Sequence, residues 1–335
     1  MVVFCLKVKD IGERGLIEKI FGIIDKCDKA ILPLGDDAVG YLIDDDRVLV
    51  VNVDMLVWST DVPPGMSFRQ VGRKIVTMCV SDVAVKGAKP LGILLSIGIP
   101  KDFLVEDMEE IVRGVNEGSR EYDTYLLGGD TNECNEIILD GIAFGIVDRD
   151  YLVTRSGANP GDILAITGYF GYAAAGLKIL LENIPVPADI RKKFLEAVYN
   201  PRAKVKEATA LAKSRTLTSS IDSSDGLAWS LYELGKSSGV GFIVEDLPIP
   251  EEVKKFAEIH DLDPYDLALY GGEEFELVVT VKPATWEKAV KAVKKVRGTL
   301  IKIGKVTKDK KIVLVDKDGV ERKIEPRGYE HFIDN

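Results

Sequence analysis

Residues 31–56 read ILPLGDDAVGYLIDDDRVLVVNVDML. An apolar run meets a Gly-Asp-Asp turn at Gly35, Asp36 and Asp37. Two further apolar runs then flank an acidic turn at Asp44, Asp45 and Asp46, and the second closes on Asp54. Runs rich in Val and Leu on either side of a polar turn predict two neighbouring strands. Carboxylates at the ends of apolar runs, beside glycines, stand where a rigid scaffold presents a site.

The same alternation continues outward. Residues 12–24 show helical periodicity, and 67–88 (SFRQVGRKIVTMCVSDVAVKGA) predict a long, mostly apolar helix with Asp82 inside it. PLGILLSIGIP predicts a strand, about 104–121 a helix, and TYLLGG and IILDGIAFGIV two more strands. The Gly/Pro-rich stretch TRSGANPGD at 154–162 is the best boundary by composition. Beyond it come a strand (DILAIT), a helix start (GYFGYAAAG), helical segments over roughly 187–213, and the strand TLTSSID leading into a helix at Gly226. GVGFIVED and EFELVVTV predict strands, TWEKAVKAVKKV a helix, and the tail alternates strand and turn. The expected class is α+β (mixed α/β), in two domains at 1–152 and 153–335.

Composition narrows the function. The chain has 335 residues, 46% apolar, enough for two cores. The net charge is −10 and no Lys/Arg cluster stands out, so a nucleic-acid partner is not expected. If the chain binds a polyanion such as ATP, a metal must intervene. No run approaches the ~20 apolar residues of a membrane helix, and charge comes too early for a secretory signal. The expected location is the cytoplasm. Cys5, Cys27, Cys79 and Cys134 show no CxxC spacing, so neither a zinc site nor a disulfide framework is expected. His260 and His331, the only histidines, lie in no nucleophile motif.

The acidic residues then carry the argument. Asp36, Asp37, Asp54, Asp130, Asp222 and Asp225, with Glu273, Glu274 and Glu276, follow apolar runs or glycines. Singly, such an Asp is more often a helix N-cap or turn residue. Asp225 before GLAWSLYEL is an N-cap candidate, and Asp44 to Asp46 a solvated turn. Asp82, between MCV and VAV, should be buried and needs a partner or a cation. Together, carboxylates from several elements suit Mg²⁺, a hard cation that bridges carboxylates to phosphates. Phosphoryl transfer is mostly positioning and charge neutralisation. No P-loop and no protein-kinase motif set is present. The glycines of GYFGYAAAG allow either phosphate binding by helix N-terminal amides or close helix packing. Trp58, Trp229 and Trp286 read as core or interface residues.

These motifs resemble the thiamine-monophosphate kinase family, within a superfamily that includes aminoimidazole ribonucleotide synthetase, selenophosphate synthetase and a hydrogenase-maturation dehydratase. The matches run in order: Gly35-Asp36-Asp37, Val53-Asp54, Ser81-Asp82 with Gly87-Ala88-Lys89-Pro90, Gly128-Gly129-Asp130-Thr131, Thr154-Arg155-Ser156-Gly157, Asp222-Ser223-Ser224-Asp225-Gly226, Gly271 to Leu277, and Gly328-Tyr329-Glu330-His331-Phe332. The resemblance implies several Mg²⁺ ions held by Asp37, Asp54, Asp82, Asp130 and Asp222, a further ion at Asp225, and Asp36 beside them. It implies metal contact through the Asn52 amide and the Val53 carbonyl. Gly129, Asp130, Arg155 and Ser224 would contact ATP, and Glu273 and Tyr329 the thiamine moiety. Asp61 stands where the family has a histidine and would pair with the thiazolium cation. The implied architecture has two domains of the aminoimidazole-ribonucleotide-synthetase type, with N-terminal domains forming a barrel across a homodimer interface.

The implied reaction is ATP + thiamine monophosphate → ADP + thiamine diphosphate, with no general base, because the acceptor is an ionised phosphate; Arg155 offers the cation for phosphate charge. One rival is another ATP enzyme of the superfamily with a different acceptor. The hydrogenase-maturation relative carries a C-terminal reactive cysteine, and here no cysteine follows Cys134. Cys5 and Lys7 leave slight room for a selenophosphate-type reaction. A non-catalytic nucleotide-binding dimer is the rival of another class.

Overall fold

The computed structural model describes residues 6–316 and 319–332; Cys5 lies outside them. In the first half, β1 (Val39–Leu42), β2 (Arg47–Val57), β3 (Lys89–Ile99), β4 (Leu126–Glu133) and β5 (Ile138–Asp148) form a sheet of order β1-β2-β5-β3-β4. Neighbours are antiparallel except β3 and β4, which are parallel. The helices are α1 (Gly12–Phe21), the short α2 (Trp58–Asp61), α3 (Phe68–Val85) and α4 (Val105–Glu121).

Alternation along β2 sets the layers. Val48, Val50 and Leu56 are fully buried on the inner face, against Val71, Ile75, Val76, Cys79, Val80 and Val83 of α3 in the same core cluster. Ser67 caps α3, accepting the Gln70 N–H at 3.3 Å. Helix α4 lies close on α3: a Cβ on Gly114 would stand 1.9 Å from the Arg69 carbonyl oxygen, so only glycine permits that approach. The outer face of the sheet is apolar and open, with Val39, Tyr41, Val53, Met55, Leu91 and Leu127 all exposed.

The second half contains β6 (Ile163–Ile166), β7 (Leu217–Ser223), β8 (Gly241–Val244), β9 (Glu276–Val281), β10 (Ile301–Thr307), β11 (Ile312–Val315) and β12 (Glu321–Lys323), in the order β12-β11-β8-β10-β6-β9-β7. Its helices are α5 (Tyr172–Leu181), α6 (Ala188–Tyr199), α7 (Val205–Ser214), α8 (Leu227–Ser238), α9 (Glu251–Ile259), α10 (Pro264–Tyr270) and α11 (Trp286–Lys295). Every residue of β9 is buried. Leu277, Val279 and Val281 join the core of the first half, whereas Val278 belongs to a second core with Phe170, Leu231 and Phe242. One face of this sheet therefore packs against the first half of the chain.

Several expectations need correction. Asp54 stands within β2 and does not close it, and Asp222 is the penultimate residue of β7 and does not follow it. Asp225 is not the N-cap of α8; Gly226 is, at φ 112°, with no side-chain cap. The helices α9 and α10 have no counterpart in the sequence reading. No helix among the described residues is long and apolar enough to cross a membrane.

Candidate active site

A cleft of about 260 Å³ opens where the inner face of β2, α3, the end of β7, the start of α8 and α1 meet. Asp36, Asp37, Asn52, Val53, Asp54, Asp82, Arg155, Asp222, Ser224 and Asp225 line it. At its floor, carboxylate oxygens of Asp37, Asp82 and Asp222 lie within 4.8 Å of one another. Asn52 donates to Asp82 at 2.6 Å, and Ser81 donates to Asp222 at 2.5 Å. The Ser81 bond joins the first half of the chain to the second.

The electrostatics are those of carboxylates crowded without enough cations. Burial first, then Asp222 and Asp54, pushes Asp82 well above the usual carboxylate range. Burial and the Asp37 charge raise Asp222, despite the Ser81 bond. Asp54 is pushed up to about 7 by burial and then by Asp222 and Asp225, and Asp225 to about 6 chiefly by burial. Asp37 alone is lowered: burial opposes its ionisation, but Arg155 and Lys86 outweigh it. Val53 points its side chain to the outer face, and only its backbone serves the cleft.

Two cations organise one wall. Arg155 Nε donates to Asp37 at 2.8 Å, and its Nη1 donates to the Gly35 carbonyl at 2.6 Å. Lys86 is fully buried and lies 2.5 Å from both Asp36 Oδ1 and Asp37 Oδ2. Asp36 Oδ1 also accepts the Asp37 N–H, and Oδ2 accepts the Arg155 N–H. Both oxygens of Asp36 are thus engaged within the protein, as are both oxygens of Asp37.

A second corner adjoins the cleft. The Tyr329 N–H donates to the Asp225 carbonyl at 3.1 Å, and Asp61 and Glu273 act on the Tyr329 hydroxyl, whose pKa is pushed up to about 12 by burial and then by those charges. Lys74, buried in α3, pairs with the Glu273 carboxylate and donates to the Asp61 carbonyl at 2.7 Å. The Asp61 carboxylate itself accepts the Val57 N–H at 2.7 Å. Glu273 (φ 66°) and Phe275 (φ 51°) both adopt left-handed backbone, a strain retained only where surrounding contacts impose it. Those contacts are Glu273 N–H to the Ser224 carbonyl, Phe275 N–H to the Ser223 carbonyl, and the Glu274 carboxylate accepting the N–H groups of Gly171 and Ala173. Glu274 thus occupies the start of α5, so those two amides serve an internal carboxylate rather than a phosphate.

Two expected residues stand apart. Met55, Asp140, Ser96 and Asp130 are register partners across β2, β5, β3 and β4. Three strand spacings separate Asp130 from Met55, about 14 Å. Asp130 also shares the outer-face row, whereas Asp54 faces inward. Gly129 packs against β3, where a Cβ would meet the Leu95 carbonyl oxygen at 1.8 Å. Within one chain neither residue reaches the carboxylate cluster.

The sequence reading missed five residues here, among them Lys74 of the second corner. Lys86 is described above. Arg14 of α1, with Trp229 and Glu233 of α8, also lines the cleft. Trp229 and Glu233 are spaced four apart on one face of α8, a readable spacing. Arg14 stands more than two hundred residues away in the chain, with no local signal.

Comparison with known proteins extends this geometry. Residues 35–147 match the model of the AIR synthase related protein N-terminal domain, and residues 159–317 that of its C-terminal domain. The thiamine-monophosphate kinase of Pyrococcus horikoshii is 41% identical over 250 residues, covering 74% of this chain and 77% of the relative. That of Nitrosopumilus maritimus is 35% identical over 284 residues, covering 85% and 89%. A solved structure described as "AaThiL complexed with AMPPCP and TMP" superposes with a TM-score of 0.85 at 27% identity, covering 98% of this chain and 99% of that one. On identity, coverage and fold alike, the chain belongs to the thiamine-monophosphate kinase family.

Proposed function

We propose that this chain transfers the γ-phosphoryl group of ATP to thiamine monophosphate in line, giving ADP and thiamine diphosphate. The observation that carries the reading is the trio Asp37, Asp82 and Asp222, gathered within 4.8 Å in one cleft with Arg155 and with Asp225, whose carbonyl holds the Tyr329 N–H. Relatives of that name, and a neighbour whose description names AMPPCP and TMP, support it.

The donors fit magnesium. They are hard oxygens only, and the raised carboxyl groups of Asp54, Asp82 and Asp222 carry repulsion that a divalent ion relieves. Asp37, Asp54, Asp82 and Asp222 would hold it, with Asp225, the Asn52 amide and the Val53 carbonyl at the margin. Bound there, magnesium would supply neutralisation of the polyphosphate charge.

The chain's own groups do the rest. Arg155 offers a planar fork that suits phosphate oxygens, and Lys86 keeps Asp37 ionised and oriented. Ser224 faces the nucleotide. The acceptor oxygen is already ionised, so no residue need abstract a proton. Glu273, Asp61 and the Tyr329 ring form the acceptor corner; the carboxylates exceed the Lys74 ammonium by one charge, which suits a thiazolium cation.

We take 1–152 and 153–335 as the two domains. The exposed apolar outer face of the first sheet is suited to a second copy of the chain, joined in a homodimer barrel. Asp130 and Gly129 lie on that sheet and would then serve the partner's nucleotide. The direct test is a coupled assay of thiamine monophosphate, ATP and Mg²⁺ with thiamine diphosphate as the readout. Consumption of ATP on another acceptor, without that product, would overturn the assignment.

A further inference from the structure

Arg14 enters the cleft from α1, close to the N-terminus. Its guanidinium lies 3.6 Å from the centroid of the Trp229 ring, a stacking that fixes its plane. Nη1 pairs with Glu233, and Nη2 stands 3.3 Å from Asp225. Nε is buried, makes no hydrogen bond and lies 3.9 Å from the Glu330 carboxylate, a longer ion pair. The side chain keeps 30% of its surface open to solvent, so a ligand can reach it.

Its position lies between the two halves of the reaction. On one side, Glu233 also faces Arg155 at 3.7 Å, and Arg155 holds Asp37 at the proposed nucleotide end. On the other, Asp225 is tied through its carbonyl to Tyr329 in the acceptor corner. In-line transfer requires the acceptor's phosphate oxygen to lie between those two ends. A pre-oriented guanidinium at that point meets a phosphate dianion with two donors at once.

We propose that Arg14 recognises the phosphate group already carried by the acceptor, and so makes the enzyme select a phosphorylated substrate over the free alcohol. This deepens the function proposed above and rests on it. Glu233 acts on the same step as a positioning residue, because its two oxygens orient both guanidinium groups.

The test is a titration of metal-saturated full-length protein, followed by tryptophan fluorescence, with thiamine monophosphate and with thiamine as separate ligands. Arg14→Met keeps an apolar stem over Trp229, and Arg14→Lys keeps the charge. Arg14→Met is expected to weaken thiamine monophosphate ~10- to 100-fold, as for a lost charged hydrogen bond, and to leave thiamine within about twofold. Arg14→Lys should recover part of the loss. The KM for ATP should stay unchanged in both variants. Equal weakening of both ligands, or a rise in the KM for ATP, would reject the assignment. So would a wild-type protein that prefers the phosphorylated ligand and an Arg14→Met variant that keeps that preference. Wild-type protein that binds neither ligand would reject the thiamine reading itself, and this inference with it.

Discussion

Replacing Lys86 by Met removes the only ammonium inside the Asp36–Asp37 turn. Burial opposes the charge of Lys86, yet Asp37 and Asp36 outweigh it and raise its pKa. Both carboxylates have side chains with no exposed surface, and each lies 2.5 Å from the Lys86 nitrogen. The variant leaves Arg155 to serve two buried anions. Removing one partner of a buried pair costs about 3–5 kcal/mol, because the remaining charge stays buried. At roughly 2.1 cal/mol/K per residue, a chain of 335 residues unfolds with about 0.7 kcal/mol/K, so Tm should fall by about 4–7 °C. Thermal unfolding of Lys86→Met in EDTA, followed by circular dichroism, measures this directly. Adding Asp36→Asn should recover a large share, since one of the two anions is then gone. A fall in Tm under about 1 °C, or a double variant no better than Lys86→Met, would show that the pairing does not hold the turn.

Metal-free protein should lose stability as pH rises. Asp225 and Asp54 titrate at about 6 and about 7 when folded, and Glu274 at about 8, all above their ordinary values because of burial. Each binds its proton more tightly when folded, so that stabilisation is full below about pH 4 and is lost as pH climbs through 6 to 8. Tm in EDTA should therefore fall across this range and Mg²⁺ should restore it above pH 7; a flat profile in EDTA refutes the crowding argument. Asp222→Asn and Asp130→Asn should each abolish turnover, whereas a mixture of the two variants should regain activity as heterodimers form, because one site in each is then intact. No recovery on mixing would show that Asp130 does not act across the interface. Glu274→Ala should speed amide hydrogen exchange over 271–277 and raise the KM for thiamine monophosphate more than that for ATP, with Glu274→Gln milder; unchanged exchange would dismiss Glu274 as the hook on α5.

Much of this was legible because it is local. The strands flanking Asp44 to Asp46 and the apolar helix around Asp82, capped by Ser67, follow from period and turn chemistry. Helix α10 was also readable, since Asp263 caps Tyr265 at 2.8 Å and Pro264 opens the helix. Lys86 was hidden in VAVKGA, where a lysine before glycine reads as a solvated helix end; only tertiary packing buries it. Arg14 and Trp229 meet through the fold alone. Asp130 carried the family's motif, yet the residue lies on the outer face of the sheet, three strands from β2, a placement only the sheet order reveals.

The core shared by the two halves bears on motion. Leu277, Val279 and Val281 pack with Val71, Ile75 and Val80 in one cluster, and buried polar bonds such as Ser81 to Asp222 cross the same seam. An apolar seam of this kind resists hinge opening, because parting it would wet the core. The width of the cleft is therefore set by packing. What remains free to gate it is the rim, where Arg14 N–H donates to Glu330 and His331 N–H donates to Glu13, each at 3.3 Å. These bonds knot the first helix to the last described segment. Loosening this clasp between α1 and the last described segment would widen the rim while the carboxylate floor keeps its packing.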